Sequence, residues 1–510
     1  MKHLPFVVPF VATALMALLI SCGNDEYSKR KARIPFEAPT EVGTSGGESK
    51  RWLAGDHHIH SRYSVGWDYS TTPPSPILGV DGKYSGALNA QMAHKHGLDW
   101  MVITDHGGPN HSRVNLEQAY PDLVASRQVV PEVLQFYGME FDTPAAQHSS
   151  LIIPYSSAEA EQLFQIERDF NREEELYGSA ERDSEEDMLA ALLAMQMFNP
   201  APILMANHPS RSAYALGDYS TITPRELRGW NDIAPGVAVG MEAAPGHQAA
   251  SINTDGSLKS FGKRGGYNSY PTMGGYDQMT AQLGGFWDSM LAEGRHWWVT
   301  ANSDSHVHYT EGGRDFWPGE YTKTYIYADK SYASILEGLR EGRVFVVTGD
   351  LIDDLGFTLI NRSHQLSSNN SGVSRTAITG ETLAIAPGDT IQIKVRVHDP
   401  NTKNVHGDNP KLARIDIIQG DAFTEPADPS TNVNANVAVI ERFYIDEMQH
   451  KQGIISLSLK MSDVQKSGYI RLRGTNNRNE LEPEPDAPGE NPWLDLWFYS
   501  NPIFYQVTGS

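Results

Sequence analysis

Short apolar segments alternate with helical stretches from about Trp52 to Gly349, and this alternation restricts the fold more than any other feature of the sequence. Helix candidates include residues 87–96 and 184–198, and the second opens with Ser184 and Asp187 at the spacing of a capping box. The apolar segments have the length and composition of buried parallel strands, and they are residues 99–104, 149–153, 201–206, 236–241 and 296–300. Strands that alternate with helices over this length predict an α/β barrel or a doubly wound sheet.

The pattern changes after Gly349, where apolar and polar residues mostly alternate within each strand-like segment. A turn at 387–389 precedes the first of these segments, and the segments are residues 391–397, 414–418, 454–459 and 469–473. Alternation of this kind is typical of half-buried antiparallel strands. We therefore expect an α/β domain at 52–349 followed by an antiparallel β-sandwich at 350–510.

Residues 1–21 are predicted to be a signal peptide, because a short basic start precedes the apolar run Leu4–Ile20. The run ends in Leu-Ile-Ser before Cys22, which resembles the bacterial lipoprotein box. That resemblance implies that Cys22 is lipidated and anchors the chain to a membrane, and residues 22–51 are then a flexible tether. Since Gly23 differs from the inner-membrane retention signal, we expect the periplasmic or cell-surface face of the outer membrane. An uncleaved membrane anchor is the alternative.

The charge balance restricts the partners of the chain. Acidic residues number 63 against 41 basic ones, which gives a formal charge of −22. A surface this acidic repels a phosphate backbone, so we expect no nucleic-acid partner. Nothing in the sequence predicts a protein partner. A small anionic substrate is still compatible with this charge, because bound cations reverse the field inside one pocket.

Histidines and carboxylates fall beside the predicted strands. In an extended segment at Asp56–Ser61, His58 and His60 point to the same side, because side chains in a strand alternate with a period of two. The carboxyl ends of strands in α/β folds converge on one face, where active sites form. The other candidates beside strands are Asp105, His106, Glu140, His148, His208, Asp304 and His306.

This set of ligands predicts a metal site. Imidazole and carboxylate without thiolate suit zinc, iron or manganese. The candidates outnumber the ligands of one tetrahedral ion, so we expect two or three divalent ions with a carboxylate able to bridge two of them. Such a pair lowers the pKa of a shared water and polarises the bond to be cleaved.

The order of these motifs resembles the PHP (polymerase and histidinol phosphatase) superfamily of metal-dependent hydrolases over residues 52 to about 349. The motifs are Asp56-x-His58-x-His60-Ser61, Thr104-Asp105-His106, Gly138-Met-Glu140, His148, Asn207-His208-Pro209 and Ser303-Asp304-Ser-His306. The resemblance implies a distorted (β/α)7 barrel that holds up to three ions. Residues 341–349, 471–474 and 497–503 resemble the exported carbaryl-hydrolase-like branch, in which a β-sandwich follows the barrel.

The resemblance also implies a role for each ligand. The first ion would be bound by His58, His60, Glu140 and Asp304. Glu140 would bridge to a second ion, bound also by His148 and His208, and a third would take His106 and His306. The family usually supplies one more ligand to the third ion at a spacing where this chain has Val65 or Gly66, so Asp68 is the predicted substitute. Asp105, Glu140 and Asp304 are the predicted catalytic residues, and Asp105 and Glu242 either support the ligands or line the pocket.

Three functions are compatible with these residues. The first is hydrolysis of a phosphate monoester or diester by a metal-bridging hydroxide, with Arg62 and Arg211 neutralising phosphoryl oxygens. The second is hydrolysis of a carbamate or carboxylic ester at the same metals, because no motif separates attack at carbon from attack at phosphorus. The third is a non-catalytic surface lipoprotein that binds metal or glycan. Aromatic side chains and His247 of the 211–295 segment either cap the barrel or line a specificity pocket.

Overall fold

The first β-strand begins at Arg51, the last residue of the predicted tether. A computed structural model describes residues 50–174, 182–267, 269–363, 374–426, 428–447 and 452–508. The predicted signal peptide and Cys22 lie outside the described residues. Among the helices of the described ranges, none is long and apolar enough to cross a bilayer.

The first part of the chain supplies nine strands to one large mixed sheet, and β2 and β3 form a separate hairpin. The strands are β1 (Arg51–Asp56), β2 (Gly66–Asp68), β3 (Ser75–Ile77), β4 (Trp100–His106), β5 (Leu134–Asp142), β6 (His148–Ile153), β7 (Ile203–Ala206), β8 (Ala238–Ala244), β9 (Trp298–Ala301), β10 (Thr322–Ala328) and β11 (Val344–Thr348). Strands β1, β4 and β5 run parallel, as do β7, β8 and β9. The prediction of parallel strands is wrong for β6, which runs antiparallel to both of its neighbours.

Helices lie between these strands, which confirms the mixed α/β class. They are α1 (Gly86–Lys95), α2 (His111–Val114), α3 (Tyr120–Val129), α4 (Glu159–Phe170), α5 (Glu185–Met195), α6 (Pro224–Ile233), α7 (Gln278–Ala281), α8 (Phe286–Ala292) and α9 (Tyr332–Arg340). A π-helical stretch, Asn115–Ala119, joins α2 to α3. The predicted capping box is present at the start of α5, where Ser184 and Asp187 exchange hydrogen bonds. Such a cap satisfies N–H groups that the first helical turn leaves unpaired.

Within its described residues, the last part of the chain has β-strands and one short turn of 3₁₀ helix. Its strands are β12 (Asp354–Asn361), β13 (Thr376–Ile378), β14 (Thr382–Ile385), β15 (Asp389–His398), β16 (Arg414–Asp421), β17 (Val437–Tyr444), β18 (Ile454–Val464), β19 (Gly468–Thr475), β20 (Trp497–Ser500) and β21 (Ile503–Val507). Strands β12, β13, β15 and β18 form a separate antiparallel sheet. Buried and less buried residues alternate along β15, as the sequence predicts for a strand with one face on the core.

The other six strands of the last part extend the large sheet instead of forming a sheet of their own. The connection is the antiparallel pair β11 and β20, in which Val346 lies opposite Tyr499. One pair, β14 and β21, runs parallel, so the expectation of a wholly antiparallel tail is wrong at that pair. The predicted division of the chain at 349/350 stays a prediction.

The pairing order of the large sheet ends at β9. In the ranges the structure describes, side chains connect β9 to its other neighbours: the Val299 N–H donates to Oδ1 of Asn501 at 2.9 Å, and the Ala301 N–H donates to Oγ1 of Thr324 at 2.8 Å. Backbone pairing does not close the sheet at this point. A (β/α)7 barrel therefore stays a prediction.

The loop before β20 returns to the first part of the chain. It contacts Arg264, which is buried and lies 3.3 Å from both Glu490 and Asp495. Ser251 donates from Oγ to the carbonyl oxygen of Glu490 at 2.6 Å. A buried guanidinium is stable only when carboxylates and acceptors surround it, so this loop and the segment around Arg264 depend on each other.

Candidate metal centre

His58 and His60 follow β1 and lie next to the carboxyl end of β4. The Ile59 N–H donates to Oγ1 of Thr104 at 2.9 Å, and the His60 N–H donates to the Ser305 carbonyl at 3.0 Å. These bonds keep the segment extended, so both imidazoles point to one side as the alternation predicts. Their Nε2 atoms lie 3.0 Å apart, and both side chains are buried.

A carboxylate from β5 and another from the segment after β9 complete a group of four ligands. Oε2 of Glu140 lies 3.2 Å from Nε2 of both histidines. Oδ1 of Asp304 lies 3.3 Å from Nε2 of His58 and 3.2 Å from that of His60. Two atoms that each lie about 2.1 Å from one ion are roughly 3.0 to 3.4 Å apart at octahedral to tetrahedral angles. The spacing within this group therefore fits a single metal ion.

The tautomer of His58 supports this fit. Its Nδ1 lies 2.6 Å from Oε1 of Glu242, and since a carboxylate only accepts, Nδ1 carries the proton. In the neutral ring Nε2 is then an acceptor that faces Oε2 of Glu140 and Oδ1 of Asp304, both of which are also acceptors. Oδ1 of Asp304 is buried and receives no hydrogen bond from the residues that the structure describes. A metal ion at this point would satisfy all of these acceptors at once.

The charges around the two carboxylates of this group change their pKa values in the direction that a metal site needs. Burial raises the pKa of Glu140, but the surrounding imidazoles outweigh it and hold that pKa well below its usual range. Burial likewise opposes the ionised form of Asp304, and His247 and His58 still hold its pKa well below the usual value. Burial lowers the pKa of His208 to about 3. Ionised carboxylates and a neutral imidazole are the forms that bind metal.

The two oxygens of Glu140 divide the surrounding histidines into two sets. Oε2 faces His58 and His60, and also Nδ1 of His106 at 3.2 Å. Oε1 lies 3.1 Å from Nδ1 of His148 and 3.1 Å from Nε2 of His208. The second set is a further group of ligand atoms within 4.8 Å of one another. Glu140 is thus positioned as a carboxylate shared by two sites.

A third group combines His106 and His306 with His60 and Asp81. Oδ2 of Asp81 lies 3.3 Å from Nε2 of His306 and 3.8 Å from Nε2 of His106. Asp81 was not among the predicted ligands, because no apolar strand-like segment precedes it in the sequence. Asp68, the predicted substitute, lies in β2 and accepts a hydrogen bond from the Ser70 N–H at 2.9 Å, and its role as a ligand stays a prediction.

Asp105 lies behind the ligands instead of among them. Its carboxylate accepts from the N–H and Oγ of Ser61, at 2.6 and 2.7 Å, and from Oγ of Ser64 at 3.2 Å. Oγ of Ser64 in turn lies 2.7 Å from Nδ1 of His60. Asp105 therefore orients His60 through Ser64. This position fits the expectation that Asp105 supports the ligands, and its catalytic role stays a prediction.

Glu242, at the middle of β8, supports two ligands at once. Besides its contact with His58, it accepts through Oε2 from the backbone N–H of His208 at 2.6 Å. His208 has a φ of 31° and Asp304 a φ of 46°, both in the region that favours glycine. Strained backbone of this kind persists only where surrounding bonds hold it. The hydrogen bond from Glu242 is one of those that hold His208.

His247 is a further member of the centre, and it belongs to the segment that was expected either to cap the barrel or to line a specificity pocket. Its Nε2 lies 3.1 Å from Oδ2 of Asp304, and its Nδ1 lies 2.5 Å from Oδ1 of Asp315. The segment passes very close to Asp304, since a Cβ on Gly246 would lie 2.1 Å from the Cβ of Asp304. Its position just after β8 is the same strand-end signal that identified the other ligands. Asp142, which lies 3.4 Å from His148, was missed although it ends β5.

The centre opens into a cavity of about 510 Å³. Ligands from all three groups line the cavity. Three basic side chains also line it, and they are Arg211, Lys259 and Arg314. Nη2 of Arg211 lies 2.9 Å from Oδ2 of Asp304, so this guanidinium lies beside the first group. Arg62, the other predicted phosphate-binding residue, is 43% exposed and pairs with Asp122, and it is not among the residues that line the cavity.

A scan against protein-family models finds no match to this chain, and a search of the curated proteins finds none either. What the structure establishes is that buried histidines, glutamate and aspartates are positioned to hold a metal ion.

Proposed function

We propose that this protein is a metal-dependent hydrolase that cleaves phosphate esters, and that its α/β part is a PHP-type distorted (β/α)7 barrel. The observation that carries the proposal is the position of Glu140, whose two oxygens contact two separate sets of imidazoles. A carboxylate shared in this way is what a pair of neighbouring ions requires. The order of the motifs along the chain supports the same conclusion.

Two or three divalent ions, zinc, manganese or iron, are the proposed cofactors. The first would take His58, His60, Glu140 and Asp304, the second Glu140, His148 and His208, and the third His106, His306 and Asp81. Ions bound there would lower the pKa of a water and polarise the scissile ester. The absence of thiolate from these groups disfavours copper–thiolate and iron–sulfur centres.

The side chains of the protein contribute orientation and charge. Glu242 and Asp105 fix the rings of His58 and His60, the first directly and the second through Ser64. Arg211 lies beside the first group, with Nη2 2.9 Å from Oδ2 of Asp304, and it lines the cavity. A guanidinium at this position suits a phosphoryl oxygen. This charge favours a phosphate ester over the alternative carbamate or carboxylic ester.

The test combines metal analysis with an ester panel. The full chain is analysed by inductively coupled plasma mass spectrometry and then assayed with p-nitrophenyl phosphate, bis-p-nitrophenyl phosphate and 1-naphthyl carbamate. We expect bound divalent metal, and turnover of the phosphates that exceeds turnover of the carbamate. The double variant H58Q/H60Q should lose both metal and turnover, while H94Q, at an exposed histidine of α1, should keep both.

Each outcome of this test separates the candidate functions. Carbamate turnover above phosphate turnover would favour the alternative chemistry at the same site. Metal binding without turnover of any ester would favour a non-catalytic lipoprotein. A protein without divalent metal would overturn the proposal altogether.

The proposed location is the outer membrane, with the chain anchored through lipid on Cys22. The apolar run before this cysteine supports the proposal. Labelling of cells with a radioactive or alkyne fatty acid should mark the wild-type chain and leave a Cys22→Ala variant unlabelled. Equal labelling of the two would overturn it.

A further inference from the structure

Two basic side chains at the mouth of the cavity have no acidic partner in the part of the chain that the structure describes. Lys259 donates from Nζ to the carbonyl oxygen of Ala250 at 3.2 Å, and no ion pair joins it to a described carboxylate. The guanidinium of Arg314 is exposed and likewise pairs with no described carboxylate. Unpaired cations are notable in a chain with a formal charge of −22.

The nearby carboxylates are already engaged elsewhere. Asp315, next to Arg314, accepts from His247 through one oxygen and from the N–H groups of His306 and Val307 through the other. Glu311 pairs with Lys83. Asp255 accepts from the N–H and Oγ of Ser257, within the turn that precedes Lys259. The positive charge of Lys259 and Arg314 is therefore left to face the cavity.

One short segment fixes the backbones of both residues. The Ala249 N–H donates to the Arg314 carbonyl at 3.1 Å, and the Lys259 N–H donates to the Ser251 carbonyl at 2.8 Å. Ser251 is in turn held by the carbonyl oxygen of Glu490. Because both backbones are attached to the same three residues, 249–251, the fold sets the separation of the two backbones that carry the cations.

The two cations differ from Arg211 in their contacts. Arg211 pairs with Asp304 of the first ligand group, whereas no ion pair joins Lys259 or Arg314 to a ligand among the described residues. The cavity volume of about 510 Å³ lies within the roughly 300–1,000 Å³ of small-molecule sites, so it has room for a group beyond the ester itself. Clustered cations without acidic partners bind anions through charge-assisted hydrogen bonds.

We propose that Lys259 and Arg314 bind a second anionic group of the substrate, a carboxylate or a phosphate that lies outside the ester to be cleaved. The preferred substrates are then esters that carry a negative charge on the part of the molecule pointing toward the mouth of the cavity. This inference rests on the proposed function only in treating the metal centre as the position of the ester.

Equilibrium binding tests this proposal without turnover. The probes are 3-phosphonopropionate and 3-phosphonopropionamide, which share a phosphonate for the metal centre and differ in the charge of the distal group. Isothermal titration calorimetry of the manganese-loaded protein should show roughly tenfold tighter binding of the carboxylate, the gain from one charge-assisted hydrogen bond. The double variant K259A/R314A should bind both probes equally.

A matched control removes two positive charges at exposed residues that do not line the cavity. Lys394 and Lys460 are exposed residues of β15 and β18 in the separate antiparallel sheet, and K394A/K460A should keep the wild-type preference. Equal binding of the two probes by wild type would overturn the proposal. A preference that persists in K259A/R314A would also overturn it, because it would then come from chelation at the metals. Failure of the proposed function is separate, since it would appear as no ester turnover whatever the binding ratio.

Discussion

Oε1 of Glu242 lies 2.6 Å from Nδ1 of His58, and this contact decides which nitrogen of the imidazole faces the ligand group. The other oxygen of Glu242 accepts from the backbone N–H of His208, a residue of the second group. A single carboxylate thus orients ligands of two groups. Partners of this kind raise the basicity of a ligand and fix its tautomer.

Replacement of Glu242 by glutamine should weaken metal binding about 10- to 100-fold. A glutamine accepts from only one of the two N–H groups and presents its NH₂ to the other, so either His58 or the His208 backbone loses its acceptor. Competition with a chromogenic chelator measures the affinity. E117Q, at an exposed glutamate, is the matched control and should bind like wild type. Wild-type affinity in E242Q would show that the contact has no such role.

Replacement of Glu140 by glutamine should have a larger effect, beyond the roughly 100-fold expected from loss of an outer partner. Its two oxygens contact both sets of imidazoles, so one change removes a ligand from two sites. Metal content per chain, measured after gel filtration, should fall together with ester turnover. If E140Q retained its full metal content, the assignment of a shared ligand would be wrong.

The sequence predicted Asp68 as a ligand of the third group, whereas the structure has Asp81 in that group. Oδ2 of Asp81 lies 3.3 Å from Nε2 of His306, whereas Asp68 accepts from its own turn. D81N should therefore lose part of the bound metal, and D68N should retain all of it. The comparison is made by metal analysis at equal protein concentration. Loss of metal in D68N alone would reverse the assignment.

The two predicted phosphate-binding arginines should also behave differently. R211A should raise the KM for p-nitrophenyl phosphate roughly tenfold or more, because a charge-assisted hydrogen bond to the substrate is lost. R62A should leave KM unchanged, since Arg62 is 43% exposed and pairs with Asp122. Steady-state kinetics of both variants provides the measurement. An unchanged KM in R211A would contradict the role proposed for this side chain.

A buried histidine away from the ligand groups should make stability depend on pH. Nε2 of His111 lies 2.8 Å from the Tyr63 carbonyl and Nδ1 lies 2.7 Å from Oε1 of Glu167, so both nitrogens donate and the ring is a cation. Burial opposes this charge, but Glu167 outweighs it and raises the pKa of His111 from 6.5 to about 9. The stabilisation is complete below pH 6.5 and is lost as the pH rises through 9, and a shift of this size corresponds to roughly 3 kcal/mol.

Urea unfolding of wild type and H111Q at pH 6 and pH 9.5 tests this dependence. The difference in unfolding free energy between the two proteins should be larger at pH 6. The exposed His94 supplies the control, because H94Q should match wild type at both values. A difference for H111Q that does not change with pH would exclude a charged ring.

Local pattern predicted much of the fold and of the candidate site. The sequence predicted that His58, Glu140 and Asp304 come together for two reasons. Side chains in a strand alternate with a period of two, and the carboxyl ends of neighbouring parallel strands lie on one face of the fold. Asp81 could not be predicted as a ligand, because the sequence of its loop does not indicate which side chains it faces in the folded chain. The antiparallel pairing of β6 could not be predicted either. An apolar run indicates that a strand is buried, but it does not indicate whether the strand runs parallel to its neighbours.

Arg264 has a consequence for any attempt to divide this chain. The charge of this buried side chain is balanced by Glu490 and Asp495, more than two hundred residues further along the chain. A fragment that stopped after Gly349 would leave that guanidinium without compensation, at a cost of about 3–5 kcal/mol. It would also lack the strand that covers the edge of β11. The segment around Arg264 and the loop before β20 therefore have to be inherited, expressed and engineered as one piece.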